Sequence, residues 1–186
     1  MRIFKVGILA VLLVLAGCAG MMPKPKFDPN DPTNSVIFGY VDTTDLPSDF
    51  STAIIRGQGG EDDYVSASVK DGIFWHPAVR LGERKIVELT GTYYRTLGRD
   101  THHYYKLGAK SITVNIKTPG VYFAGAYKYV KLDDESKFEL RPIKSGAPSE
   151  KEMLKTILRE LEISNRRMFD FPRQVDMIKK RIAALP

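Results

Sequence analysis

Between Ser35 and Pro142 the chain is a train of β-branched and aromatic runs, each closed by a Gly, Pro or Asp cluster. Such runs suit pleated, half-buried backbone, and such clusters turn it. "SVIFGYV" ends in "DTTDLPSD", and "TAIIRG" ends in "GQGGEDD". In "YVSASVK", Val65, Ala67 and Val69 alternate with Ser66, Ser68 and Lys70. Asp71-Gly72 is a hairpin signal leading into "IFWHP". "RKIVELTG" follows, and "SITVNIK" puts Ile112, Val114 and Ile116 on one face. Pro119-Gly120 turns into "VYFAGAYKYVKL", and "KFELRPI" aligns Phe138 with Leu140. The expectation is a mainly-β fold, an antiparallel β-sandwich of about eight strands over residues 35–144.

The period then changes. After the "SGAP" linker, Ser149-Glu150-Lys151-Glu152 forms a capping box. Met153, Ile157, Leu158 and Leu161 recur at helical spacing, "ISNRRMFD" interrupts, and Val175, Ile178, Ile182 and Leu185 make a second stripe. Asp170 can cap that second helix, with Pro172 tolerated in its first turn. A pair of amphipathic helices over 149–185 is expected, packed on the sandwich or on each other. The alternative is that one stripe docks a partner.

The start of the chain reads as an address. Arg2 and Lys5 precede an apolar run, Val6 to Ala16, that is too short to span a bilayer. Charge, apolar core and small-residue exit make residues 1–17 a signal peptide. Its exit, Leu15-Ala16-Gly17-Cys18, resembles the lipobox of bacterial lipoproteins. That resemblance implies a diacylglycerol on the Cys18 thiol, cleavage after Gly17 and acylation of the new amino group. Two acyl chains anchor stably, at about 0.8 kcal/mol per buried CH₂. In Gram-negative lipoproteins an Asp after the Cys retains the protein in the inner membrane, so Ala19 implies the outer membrane, facing the periplasm. Cys18 is the only cysteine, so lipidation leaves no thiol for disulfide, metal or catalysis. Residues 18–34 join this anchor to the domain. With Pro23, Pro25, Pro29 and Pro32 they read as an extended tether reaching on the order of 50 Å at most.

Removing residues 1–17 leaves 169 residues, enough for one domain with its own core. Without Arg2 and Lys5, 26 basic residues face 22 acidic ones, a net charge of +4. For an exported protein this favours anionic envelope material over nucleic acid. The body also resembles uncharacterised bacterial lipoproteins in which a transthyretin-like or carboxypeptidase-regulatory-like sandwich follows the lipidated Cys. The residues that carry this are "VIFGYV", "KDGIFWHP" and "IKTPGVYFAGAYKY", and the resemblance brings no catalytic residues.

Candidate chemistry is sparse. His102 and His103 are adjacent, so on a strand they diverge, and His76 would have to fold onto one of them to hold a metal. Glu61-Asp62-Asp63 lacks the ligand spacing of a calcium loop and reads as a solvated turn. Neither G-x-S-x-G nor S-x-x-K occurs. No cofactor and no catalysis are expected. "TYYRTLGRDTHHYYKLG" stands out. Tyr93, Tyr94, Tyr104 and Tyr105 are interleaved with Arg95, Arg99, His102, His103 and Lys106, and Gly98 can supply a turn. A hairpin here would send tyrosines to both faces, one building core and one offering phenols and cations to an envelope partner. The bland reading is an aromatic ladder that only stabilises the sheet. The sequence thus predicts a membrane-anchored lipoprotein with a binding or structural role. The alternatives are a glycan- or lipid-binding module and a hydrolase acting on envelope material.

Overall fold

The structure is a computed structural model. It describes residues 28, 31–46, 49–59, 63–93, 101–107, 110–132, 138–165 and 171–186. The signal peptide, Cys18, most of the tether, Glu61, Asp62 and Asp170 lie outside the described residues.

Nine strands form one curled sheet: β1 (Ser35–Asp42), β2 (Asp49–Arg56), β3 (Tyr64–Lys70), β4 (Ile73–Val79), β5 (Gly82–Tyr93), β6 (Thr101–Lys106), β7 (Ile112–Ile116), β8 (Val121–Lys131) and β9 (Phe138–Pro142). The order is β6-β5-β2-β3-β4-β1-β8-β9, with β7 also on β5. Two helices follow, α1 (Glu150–Asn165) and α2 (Pro172–Ala184). The expected mainly-β class with a C-terminal helix pair is therefore the observed one. Among the described residues all pairings are antiparallel except β1–β8, which runs parallel.

Curling lets the sheet bury one face against itself. Ile37, Ala53, Ile55, Phe74, Ile86, Leu89, Ile112 and Ile116 meet in this inner core. The two ends of the sheet also approach. Tyr105 of β6 makes edge contacts with Tyr129 (5.9 Å) and Phe138 (5.7 Å), and Lys110 pairs with Glu139 at 3.0 Å.

The opposite face of the central strands is also covered. Val36, Phe38, Ile73 and Trp75 form a second core with Met153, Leu154, Ile157 and Leu161 of α1 and Val175 and Ile178 of α2. Both predicted helical stripes thus face the sheet. Leu154, outside the predicted stripe, is fully buried as well. The capping box closes reciprocally: the Ser149 N–H donates to Glu152 Oε2 at 2.8 Å, and the Glu152 N–H to Ser149 Oγ at 3.2 Å. Arg181 forks onto Glu150 at 2.7 and 3.2 Å, tying the C-terminal end of α2 to the start of α1. For α2, Pro172 sits in the first turn as expected. Its N-cap position is Phe171, without a side-chain cap. Among the described residues no helix is long and apolar enough to cross a membrane.

Local chemistry fixes the register. Asp71 (φ 51°) and Gly72 (φ 77°) are both left-handed, as a two-residue hairpin between β3 and β4 requires. Between β1 and β8, Phe38 faces Phe123 and Tyr40 faces Ala126, so Gly125 sits in a bulge opposite Gly39. A Cβ on Gly39 would lie 2.4 Å from the Phe74 ring, so the central strands meet only with glycine there.

The domain also begins earlier than the predicted tether end. Asp31 Oδ1 accepts from the N–H and hydroxyl of Thr33 at 2.8 and 2.7 Å, Asn34 is buried, and Arg173 of α2 donates to the carbonyls of Asp31 and Asn34. Asp31–Asn34 is a turn fastened to the body.

Candidate functional site

Two regions hold the side chains worth weighing. The first is the predicted hairpin. β5 and β6 pair antiparallel, with Tyr93 opposite Thr101, Thr92 opposite His102, Gly91 opposite His103, Thr90 opposite Tyr104, Leu89 opposite Tyr105 and Glu88 opposite Lys106. Pleating then separates neighbours. Tyr105 turns inward to the ring cluster with Tyr129 and Phe138, whereas Tyr104 is 63% exposed and Lys106 is exposed. One face builds core and the other shows a phenol beside a cation. Tyr94, Arg95, Gly98 and Arg99 lie outside the described residues, as do the side chains of Tyr93, His102 and His103.

The second region was not singled out from the sequence. It is a cleft of about 500 Å³ between the outer face of β3–β4 and the helices. Its origin is a break in pairing. The β3–β4 ladder runs from Lys70–Ile73 to Ser68–Trp75 and goes no further. Beyond it β3 continues on β2, to Tyr64–Arg56, and β4 continues on β1, to Val79–Ser35. Between Ile37–His76 and Ser35–Val79 the β4 strand carries an extra residue, a bulge at Pro77 and Ala78. Proline lacks the N–H a ladder needs. The Ala78 N–H donates instead to Nδ1 of His76 at 3.1 Å.

This assigns His76 a structural task. It is 7% exposed, and burial lowers its pKa from 6.5 to about 4. A ring accepting at Nδ1 is neutral and carries its proton on Nε2. Among the described residues, no three His, Cys, Asp or Glu side chains converge as a metal site requires.

Where β3 and β4 part, the cleft is lined by Ser66 and Ser68 on β3, by Trp75, His76 and Pro77 on β4, and by Glu160, Leu161 and Phe171 from the helical layer. Ser66 and Ser68 are exposed strand positions, as their alternation predicted. Lys70, one pleat further, ion-pairs with Glu160 of α1 and ties the strand to the helix. The ammonium pKa is raised by that hydrogen bond and by the carboxylate's charge.

Asp63 is more than a solvated turn residue. Its Oδ1 accepts from Arg84 Nη1 at 2.7 Å and its Oδ2 from the Gly59 N–H at 3.0 Å. Arg84, 7% exposed, also donates to the carbonyls of Arg80 and Leu81, clamping the β2–β3 and β4–β5 connections together. Burial opposes the Asp63 charge, but Arg84 and the Gly59 N–H outweigh it and hold the carboxyl below its usual value. Sequence spacing gives no sign of this pair, because 21 residues separate its members.

No family model matches the chain, and no curated protein matches it. Among solved structures, a DUF3823 family protein from Parabacteroides merdae is similar at 20% identity and a TM-score of 0.29. The match covers 60% of this chain and 48% of that one, so the chain spans about half of that protein's length.

Proposed function

We propose that this chain is a lipid-anchored envelope protein of a Gram-negative bacterium, held in the outer membrane by Cys18 and facing the periplasm, with a binding role and no catalytic step. The anchor rests on the Leu15-Ala16-Gly17-Cys18 run, and the observation that supports a contact role is the exposed face of β6 with Tyr104 and Lys106. Ser35 opens β1 at the end of the sheet shared with Val79 and Val121. Following the pairings, β5 starts at that end with Gly82 and runs to Tyr93 at the other. Its 12 residues rise about 40 Å at roughly 3.3 Å each. The described ends of β5 and β6, Tyr93 and Thr101, thus lie at the end of the sheet opposite Ser35. The exposed Tyr104 and Lys106 give that arm the aromatic and cationic groups that anchor protein contacts.

The test is crosslinking in cells followed by mass spectrometry. A partner recovered with wild type and lost with Cys18→Ala supports the anchored role. Combining Tyr94→Ala, Arg95→Ala and Tyr104→Ala is expected to weaken recovery while folding and localisation persist. Unchanged recovery removes the hairpin as the contact surface. Absence of lipid labelling at Cys18 removes the anchor.

A further inference from the structure

We infer that the cleft between β3, β4 and α1 binds a neutral saccharide, one or two pyranose rings in size. At about 500 Å³ it lies in the range of small-molecule sites. Its walls mix two kinds of group. Trp75 and Phe171, only 6% and 5% exposed, close it with Leu161 as an apolar floor, and Ser66, Ser68, Lys70 and Glu160 offer polar atoms. A sugar ring needs this mixture, because its C–H face is apolar and its rim carries hydroxyls that both donate and accept. Serine hydroxyls also do both, a carboxylate accepts and an ammonium donates. Ser66 and Ser68 are two residues apart on one face of a strand, hence about 7 Å apart along it. That is the scale of a single pyranose ring.

Charge selects among ligands. Lys70 and Glu160 neutralise each other. The imidazole lining the same cleft is uncharged at neutral pH. An anion such as phosphate would find its cation already engaged and a carboxylate beside it. An acyl chain would strip water from two hydroxyls and an ion pair without replacing their hydrogen bonds. A neutral polyol meets neither cost. The serines belong to a strand paired with β2, and the Lys70–Glu160 bridge spans from that strand to α1. This inference is independent of the hairpin contact and of the lipid anchor, and either can fail with the other intact.

Trp75 is the only tryptophan and lines this cleft, so the chain's tryptophan fluorescence can follow binding there. The purified full chain, kept in a detergent without a sugar headgroup, is titrated with maltose, cellobiose and diacetylchitobiose. Inorganic phosphate and oleate serve as the competing classes. A saturable millimolar change in Trp75 emission with at least one disaccharide is expected. Ser66→Ala with Ser68→Ala, at exposed positions, should weaken it about tenfold through two lost hydrogen bonds. Glu160→Gln, which keeps the side-chain shape, gives a second reading of the same loss. The inference is overturned by no saturable change with any of the three disaccharides. It is equally overturned by an undiminished response in both variants, or by a response to phosphate or oleate with none to the sugars.

Discussion

The centre of the sheet and its β5–β6 edge are built from the same residue types but are covered differently. In β1, Val36 to Phe38 are buried throughout: Ile37 enters the inner core, while Val36 and Phe38 lie under the helices. At the edge, Tyr105 points inward and its neighbour Tyr104 stands in solvent. Two covered faces make the centre the main store of stability. One covered face makes the edge half structural and half available for contact, so aromatic content alone does not separate the two roles.

The largest loss is expected at Phe74, fully buried in the inner core. Phe74→Ala is expected to cost about 3–5 kcal/mol in urea unfolding. A loss near zero would mean the centre is not the stability store.

The next effect is acid sensitivity of β4. The folded His76 titrates at about 4, against 6.5 for the free side chain. Between those values the unfolded chain takes up a proton and the folded one does not. This contribution is complete above pH 6.5 and falls as pH drops toward 4, by up to about 3 kcal/mol. His76→Asn keeps an acceptor for the Ala78 N–H and is expected to flatten that part of the stability profile.

The edge itself is sharpened by a neighbouring pair. Tyr105→Ala should lose about 2 kcal/mol, from apolar burial and ring contacts together. Tyr104→Ala should stay within about 0.5 kcal/mol, as exposed positions do. Equal losses in thermal unfolding would contradict the two-faced edge. Between those two values, Ser149→Ala should cost about 1 kcal/mol through the α1 cap.

Features that depend on a few consecutive residues were legible in the sequence. The alternation in β3 and β7, the Asp71-Gly72 turn, the Ser149–Glu152 box and both helical stripes follow from side-chain period and local hydrogen bonding, which neighbours decide among themselves. The opposed tyrosines of β6 belong to the same class. What tertiary structure decided is which distant segments meet. Only the curl of the sheet brings Tyr105 to Phe138, and only the fold brings Asp63 to Arg84. Likewise, "WHP" in isolation is a strand ending in a proline. It becomes a bulge with a buried acceptor, beside a cleft, because β4 must pair with β1 while β3 stays with β2 and α1 closes over the gap. Pairing partners and burial are set by the whole chain, because each ladder and each covered face excludes water through residues far away in sequence.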